Sequence, residues 1–326
     1  MVQMVIDPLA EIISLLRPRA VFTKGISGAG RWAVRYADFG HPSFCAVIEG
    51  SCRLAVDGEE VLTLAAGDFV LLPTTPGFIL SGFEPATPVL ITPDLAPSPE
   101  TELRHGNPDG PVSVRLLGGY FTFDVDEAVL LVSLLPKQIR IRDVPRLSTL
   151  VRLLTEESGA QRPGRELVLG RLVEILLVEA LRLTPAADAP AGLLRGLGDA
   201  RLADAIRSIH AEPARAWTMA RLAREAGLSR SAFFERFARN VGVPPMEYLL
   251  GWRMALAKDL LRRRDIDLAE IAERVGYGSA STFSTAFSRH VGQPPGRYAR
   301  SLTERAAAME RPISPRSRAR TGRGHR

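Results

Sequence analysis

One stretch of this chain, Thr218 to Tyr298, contains the same helical unit written twice, and no other feature limits the fold as tightly. Leu222, Ala223, Gly227, Phe233, Phe237, Gly242, Pro244, Pro245 and Tyr248 are matched in order by Ile271, Ala272, Gly276, Phe283, Phe287, Gly292, Pro294, Pro295 and Tyr298. Residues ahead of the turn are offset by 49 positions and those after it by 50, so the second turn has gained one residue. Such self-similarity marks the C-terminal part as two copies of one supersecondary module.

Sterics and packing make each copy a helix-turn-helix. Thr218 caps a short helix whose apolar side is Met219, Leu222, Ala223 and Ala226, and Gly227 supplies the positive φ that ends it. Two helices crossing steeply over a short turn bring their backbones together at Ala223, where a longer side chain would push the second helix away. Leu228 turns inward, Ser229 caps the next helix, and Phe233 and Phe237 lie four apart on its buried side. Arg230, Ser231, Phe234 and Glu235 then point outward. In the second copy Asp267 is the cap, Ala272 the close contact, Gly276 the turn residue and Phe283 with Phe287 the buried pair. Its outward residues are Ala280, Ser281, Ser284 and Thr285.

The phrases AGLSRSAFFERFARNVGVPPMEYL and VGYGSASTFSTAFSRHVGQPPGRYAR resemble the first and second helix-turn-helix of the AraC/XylS transcription regulators. Two such patterns at this spacing, each followed by Val-Gly-x-Pro-Pro and Tyr, are far more specific than one. The resemblance implies binding to double-stranded promoter or operator DNA, with two recognition helices entering successive major grooves about 34 Å apart. The eight outward residues are then the base-facing candidates, and Thr218, Arg239, Arg253, Ser279 and Arg289 the phosphate candidates. The residues from Pro245 to Arg264 read as one longer helix that separates the two units, with Lys258 and Arg262 to Arg264 as further phosphate-contacting or solvated cations. Family members commonly carry an Arg at the positions of Glu235 and Thr285. Glu235 accepts from a cytosine amino group or repels phosphate, and Thr285 offers a hydroxyl and a methyl. Arg236, next along, is the candidate to take the vacated role. The competing reading is a helical interaction module with a duplicated hairpin, against which two polar, uncommitted helix faces speak.

Charge is divided unevenly. Residues 1–195 hold 18 Lys/Arg and 23 Asp/Glu, whereas residues 196–326 hold 24 and 13. The basic half is the repeated half, as expected of a phosphate-binding domain joined to a neutral or acidic one. Arg311 to Arg326 contributes six Arg and no acid, and reads as a basic disordered tail. A chain of 326 residues with 46% apolar content can bury two substantial cores. Runs such as VLLVSLLP are too short to span a bilayer, and the N-terminal segment lacks a basic leader and a cleavage site. The two cysteines, Cys45 and Cys52, have no metal-type spacing and read as small buried hydrophobes suited to a reducing cytoplasm.

Asp7 and Pro8 open a helix to Leu16 with Ile12, Ile13, Leu15 and Leu16 on one side. From Val21 to about Ile91, short apolar runs broken by Gly, Pro and Asp indicate a small β-sandwich or barrel, with a hairpin through Asp57-Gly58 and a tight turn at Gly67-Asp68 into a buried strand. Glu49-Gly50, Asp57-Gly58 and Gly67-Asp68 followed by Leu71-Leu72-Pro73 resemble a cupin, the sensing barrel that often precedes the helix-turn-helix pair in AraC-like regulators. Metal-binding cupins need three or more ligands converging in the barrel. Only His41 and Glu49 lie nearby, and Phe78 stands roughly where a His of the second motif belongs, so no metal or other cofactor is expected. A small organic effector would instead meet an apolar cavity lined by Trp32, Phe44, Phe69 and Phe78, with Arg35 and His41 as polar anchors; the alternative is ordinary core for the aromatics and a surface position for His41.

Residues 93–110 have loop-like composition, and VSVRLLGGYFTFD returns to strand texture that closes the barrel. From Glu127 the pattern is helical, and the helix from Arg165 to Leu183 is apolar around much of its girth. It packs either within the subunit or in a homodimer, and the two stay open. The expected architecture is multidomain α+β: a cupin-like β-barrel with flanking helices over 1–125, a helical linker or dimerisation segment over 126–184, a flexible linker over 185–198, an all-α domain with two helix-turn-helix motifs over 199–302 and the tail over 303–326. The expected function is a cytoplasmic, effector-controlled transcription regulator, not an enzyme, touching RNA polymerase where it activates. A catalytic cupin tethered to DNA and an effector-free interaction module are the alternatives.

Overall fold

The computed structural model describes residues 6–38, 41–73, 75–91, 102–123, 138–142, 144–160, 162–184, 189, 191–263 and 265–309. The run VLLVSLLP, the start of the helical segment at 127, residues 185–188 and 190 of the supposed linker and the tail beyond 309 lie outside them. The chain divides into two compact units, residues 1–255 and 256–326.

The first unit opens with α1 (Pro8–Leu16), whose cap Asp7 accepts from the Leu9 and Ala10 amides at 3.1 and 3.3 Å. The sheet that follows is organised by β3 (Ser43–Val56). The first half of β3 pairs with β5 (Phe69–Leu72) and β9 (Val114–Phe123), and its second half with β4 (Leu62–Ala65) and β6 (Phe78–Ser81). Outward from these run β2 (Ala33–Tyr36) with β7 (Val89–Ile91), and β1 (Pro18–Ala29) with β8 (Leu103–Gly106). The sheet curls around a core that includes Val47, Leu54, Val56, Leu64, Val70, Leu72 and Leu80. The hairpin at Asp57-Gly58 and the closing strand β9 stand where the sequence puts them.

Two strands depart from the reading of the sequence. Inside the supposed loop of 93–110, β8 pairs in parallel with β1, a four-residue strand too short to show periodicity. Within the supposedly all-helical 126–184 segment, β10 (Ile139–Ile141) pairs with β5. Asp68 explains why β10 stays there. Its buried carboxylate accepts from the Ala65 amide at 2.9 Å, Arg140 at 2.7 Å and Arg142 at 3.0 Å, so the turn before β5 and the flank of β10 are held by one acid. Two helices follow, α2 (Pro145–Gly159) and α3 (Arg165–Arg182).

The supposed linker is also partly structured. Leu193–Gly198 forms a short helix, α4, with Leu193 and Leu194 buried. The Gly192 amide donates to the Asn240 carbonyl at 2.8 Å and the Arg195 Nε to the Asn240 side chain at 3.1 Å. Its Gly196 leaves room for Val241, whose methyl lies 2.8 Å from where a Cβ would stand. Residues before 199 therefore belong to the helical module. Beyond it come α5 (Ala200–Ala211), α6 (Met219–Glu225), α7 (Arg230–Val241) and α8 (Pro245–Arg263). The division at 255 falls inside α8, because α1 packs on both α3 and α5 and binds the sheet region and the first helical module into one unit.

The second unit holds the end of α8, then α9 (Leu268–Arg274), α10 (Ala280–Val291) and α11 (Pro295–Met309). The last helix runs past residue 302, so the tail begins later than composition suggested.

Gly50 sits where β3 passes from one set of partners to the other. Its φ is +72°, and a Cβ there would come within 1.9 Å of the Ser113 carbonyl oxygen. Gly50→Ala should lower stability by more than about 2 kcal/mol, read as an earlier urea midpoint of the sheet's unfolding.

Candidate nucleic-acid interface

Both helix-turn-helix units are assembled as the repeat demands. In the first, Thr218 Oγ1 accepts from the Arg221 amide at 3.3 Å and Ser229 Oγ from the Ala232 amide at 3.3 Å. Gly227, at φ +61°, ends α6, and the Leu228 amide donates back to the Ala223 carbonyl at 2.9 Å. In the second, Asp267 accepts from the Glu270 amide at 2.7 Å, Ser279 from the Thr282 amide at 3.2 Å, and Tyr277 donates to the Ala272 carbonyl at 2.8 Å.

What orients each recognition helix is a three-ring stack. Phe233 and Phe237 have centroids 5.5 Å apart, and Tyr248 meets Phe237 edge-on at 5.7 Å. Phe283, Phe287 and Tyr298 repeat this at 5.5 and 5.6 Å. All four phenylalanines are fully buried, which turns the opposite faces of α7 and α10 to solvent.

On α7, Arg230, Ser231, Phe234 and Glu235 are exposed, Phe234 by 45%. On α10, Ser281 and Thr285 are exposed while Ala280 and Ser284 are half-buried. The Thr285 hydroxyl donates to the Ser281 carbonyl at 3.1 Å, so its methyl is the group left to face a partner. Arg239 and Arg289 are exposed in the last turns of the two helices, at matching positions of the repeat. Thr218 and Ser279, exposed at their helix starts, act as caps.

Several of the candidate cations are engaged elsewhere, among them Arg263, which donates to the Asp259 carboxylate at 3.0 Å. Arg253 donates to the Pro213 and Arg215 carbonyls, both at 2.8 Å, and ties α8 to the loop after α5. Lys258 is buried, its ammonium 5.9 Å from the Tyr298 ring centre. Arg236, the candidate for the vacated base-reading role, has its Nε 2.5 Å from Asp199, the cap of α5. Burial works to raise the Asp199 pKa, but the Arg236 contact and the Leu202 and Arg201 amides outweigh it and hold it below the usual value. Arg264 lies outside the described residues.

The six effector candidates do not line one cavity. Trp32 and Phe78 are in the core that the sheet encloses, while Phe44 and Phe69 stack at 6.2 Å on its other face. Strand alternation separates them, since Phe44 and Phe69 are out of phase with the core residues Val47 and Val70. Arg35 is paired with Asp57 at 2.6 Å, and His41 is exposed, stacked on Tyr120 at 6.2 Å. Phe69 borders a cavity. A space of about 350 Å³ lies between the outer face of the sheet and α2, lined by Phe69, Ala46, Ile48, Ile141, Leu147 and Val151, among others. Among the described residues no group of three His, Cys, Asp or Glu side chains could hold a metal ion, and no helix is long and apolar enough to cross a membrane.

Residues 7–185 match the Cupin family and residues 222–301 a helix-turn-helix domain family. An AraC-like transcription regulator of Streptomyces lividans is 39% identical over 299 residues, covering 90% of this chain and 97% of its own length. The chain belongs to the AraC/XylS family. A second AraC-like regulator, from Streptomyces antibioticus, is 37% identical over 90% of this chain and 98% of its own. The DNA-binding domain of AdpA, solved with a target DNA, aligns at 27% identity over 32% of this chain and 95% of that domain, with a TM-score of 0.31. As an AraC/XylS regulator the chain is a sequence-specific DNA-binding protein with an N-terminal cupin-like domain, and its relatives are named regulators rather than enzymes.

The sequence reading missed Asp199 as both cap and ion-pair partner, although an Asp before ARLADAIRSIH is a legible cap. Asp199→Ala should cost about 1–2 kcal/mol at neutral pH through the lost cap. Because the folded-state pKa lies below the unfolded one, this contribution is full above about pH 4 and fades as pH falls through the folded value. Urea titrations of the two proteins should converge there.

Proposed function

We propose that this regulator reads its operator through the outward faces of α7 and α10 and that a small organic effector, acting on the cupin-like domain, controls that reading in the cytoplasm. The observation that carries the first part is the pair of matching ring stacks, which present Arg230, Ser231, Phe234 and Glu235 on one helix and Ser281, Ser284 and Thr285 on the other. Arg239 and Arg289 reach phosphates from the same faces, where they add affinity without base preference. The readout is not that of an Arg-bearing relative. Glu235 selects a cytosine amino group, and the Thr285 methyl selects thymine.

For the effector, support comes from the cavity beside α2, whose volume is in the range that small-molecule sites occupy and whose wall is mostly apolar. For assembly, Leu153 of α2 and Leu167, Val168 and Ile175 of α3 are large apolar side chains more than 40% exposed, a surface suited to a homodimer. RNA polymerase is the further partner of such an assembly when it activates.

Competition binding to fragments of the chain's own chromosomal neighbourhood, with footprinting at two salt concentrations, tests the reading. A protected site of about two helical turns that survives excess competitor DNA is expected. Equal binding to every fragment, collapsing steeply with salt, would reduce the interaction to phosphate contact and overturn it. At the selected site, Glu235→Gln should change the preferred base at one position, whereas Arg239→Ala should weaken all sequences alike and lower the salt slope by about 1.

A further inference from the structure

Among the described residues His210 is the only buried histidine, and it lies where three helices meet. Its Nδ1 is 2.7 Å from Glu11 Oε2 on α1, its Nε2 is 2.8 Å from the Tyr248 hydroxyl on α8, and its ring stacks on Trp252 at 4.0 Å. The roles follow from the partners. A carboxylate only accepts, so Nδ1 carries the proton, and the Tyr248 hydroxyl then donates to Nε2. Burial pushes the imidazole pKa down against the pull of Glu11 and Asp7 and pushes the Tyr248 phenol up, so a neutral ring bonded on both sides is the state these surroundings favour.

Each end of this chain of bonds leads to a different function. Glu11 belongs to α1, inside the region that matches the Cupin family, and α1 also packs on α3. Tyr248 is the third ring of the stack that orients α7, edge-on to Phe237 at 5.7 Å. Four side chains therefore connect the first helix of the cupin region to the first recognition helix: Glu11, His210, Tyr248 and Phe237. In the second copy the ring in the place of Tyr248 is Tyr298, which faces the Lys258 ammonium at 5.9 Å. The hydrogen bonds from His210 thus engage the first copy.

We propose that Glu11, His210 and Tyr248 are positioning residues through which the placement of α1 sets the operator affinity of the first helix-turn-helix unit. A ring bonded at both nitrogens has one orientation, and moving α1 away leaves a buried Nδ1–H without its acceptor, a cost that a shift of α5 against α8 would relieve. Coupling is reciprocal, so operator binding to α7 must also alter the hold on α1.

The test uses the full chain and the operator site that the wild type selects. Glu11 is the side chain to change first, being 39% exposed and able to lose its carboxylate without opening the core. Glu11→Ala should shift operator Kd by at least about fivefold, the lower end of ordinary coupling between sites. Glu11→Gln, whose amide oxygen still accepts from Nδ1, should return most of the way to wild type, and Tyr248→Phe should shift affinity in the same direction as Glu11→Ala. Urea midpoints of each variant verify that it is folded under assay conditions, and a role confined to stability would leave Kd unmoved in folded protein. Operator Kd of Glu11→Ala and Tyr248→Phe equal to wild type overturns the proposal. Because it rests on the operator-reading function, the wild type is the control that separates the two: no selected site means that function fails, whereas a selected site with unshifted variants means only the coupling fails.

Discussion

The placement of two aromatic rings four residues apart, closed by a tyrosine from the following helix, is the constraint on which the DNA-binding part depends. A helix has one azimuth at which Phe233 and Phe237, or Phe283 and Phe287, can both be buried, and the edge-on contacts at 5.7 and 5.6 Å hold it there. Which side chains of each helix turn to solvent follows from that rotation. The two stacks match to within 0.1 Å and 2° in their tyrosine contacts, although the outward residues of the two copies share no charge pattern. The two copies share a scaffold and differ on the face it turns outward.

Where stabilising partners are close in sequence, the fold could be read directly. Caps at Asp7, Thr218, Ser229, Asp267 and Ser279, turn glycines at Gly227 and Gly276, and the rings above all declare themselves within one or two helical turns. What could not be read is pairing across distance. Arg236 pairs with Asp199, 37 residues away, and Arg253 donates to carbonyls 38 and 40 residues before it, partners that no local pattern displays. Glu11 and His210 are 199 residues apart. His210 did announce its burial, four residues after Ile206 on the apolar side of α5, but not its partner.

The cupin-like region follows the same logic. Alternation along β3 and β5 sorts aromatics to opposite faces, a fact available from strand period yet lost when the residues are considered by type alone. Phe69 and Phe44 look aromatic in the same way as Trp32 and Phe78, but only the second pair contributes to the enclosed core. β5 is buried along its full length because one face meets that core and the other is covered, which is why it reads as a continuous apolar run.

The helix α4 has a consequence for how strongly the parts of the first unit must hold one another. With α4 docked on α7, the covalent connection left between α3 and the helical module is the stretch from Leu183 to Gly192, ten residues. A covalent connection so short makes any contact between the parts it joins an intramolecular event. Contacts between cupin region and DNA-binding module therefore compete intramolecularly, and an interaction too weak to be detected between separate fragments can still dominate the population of the intact chain.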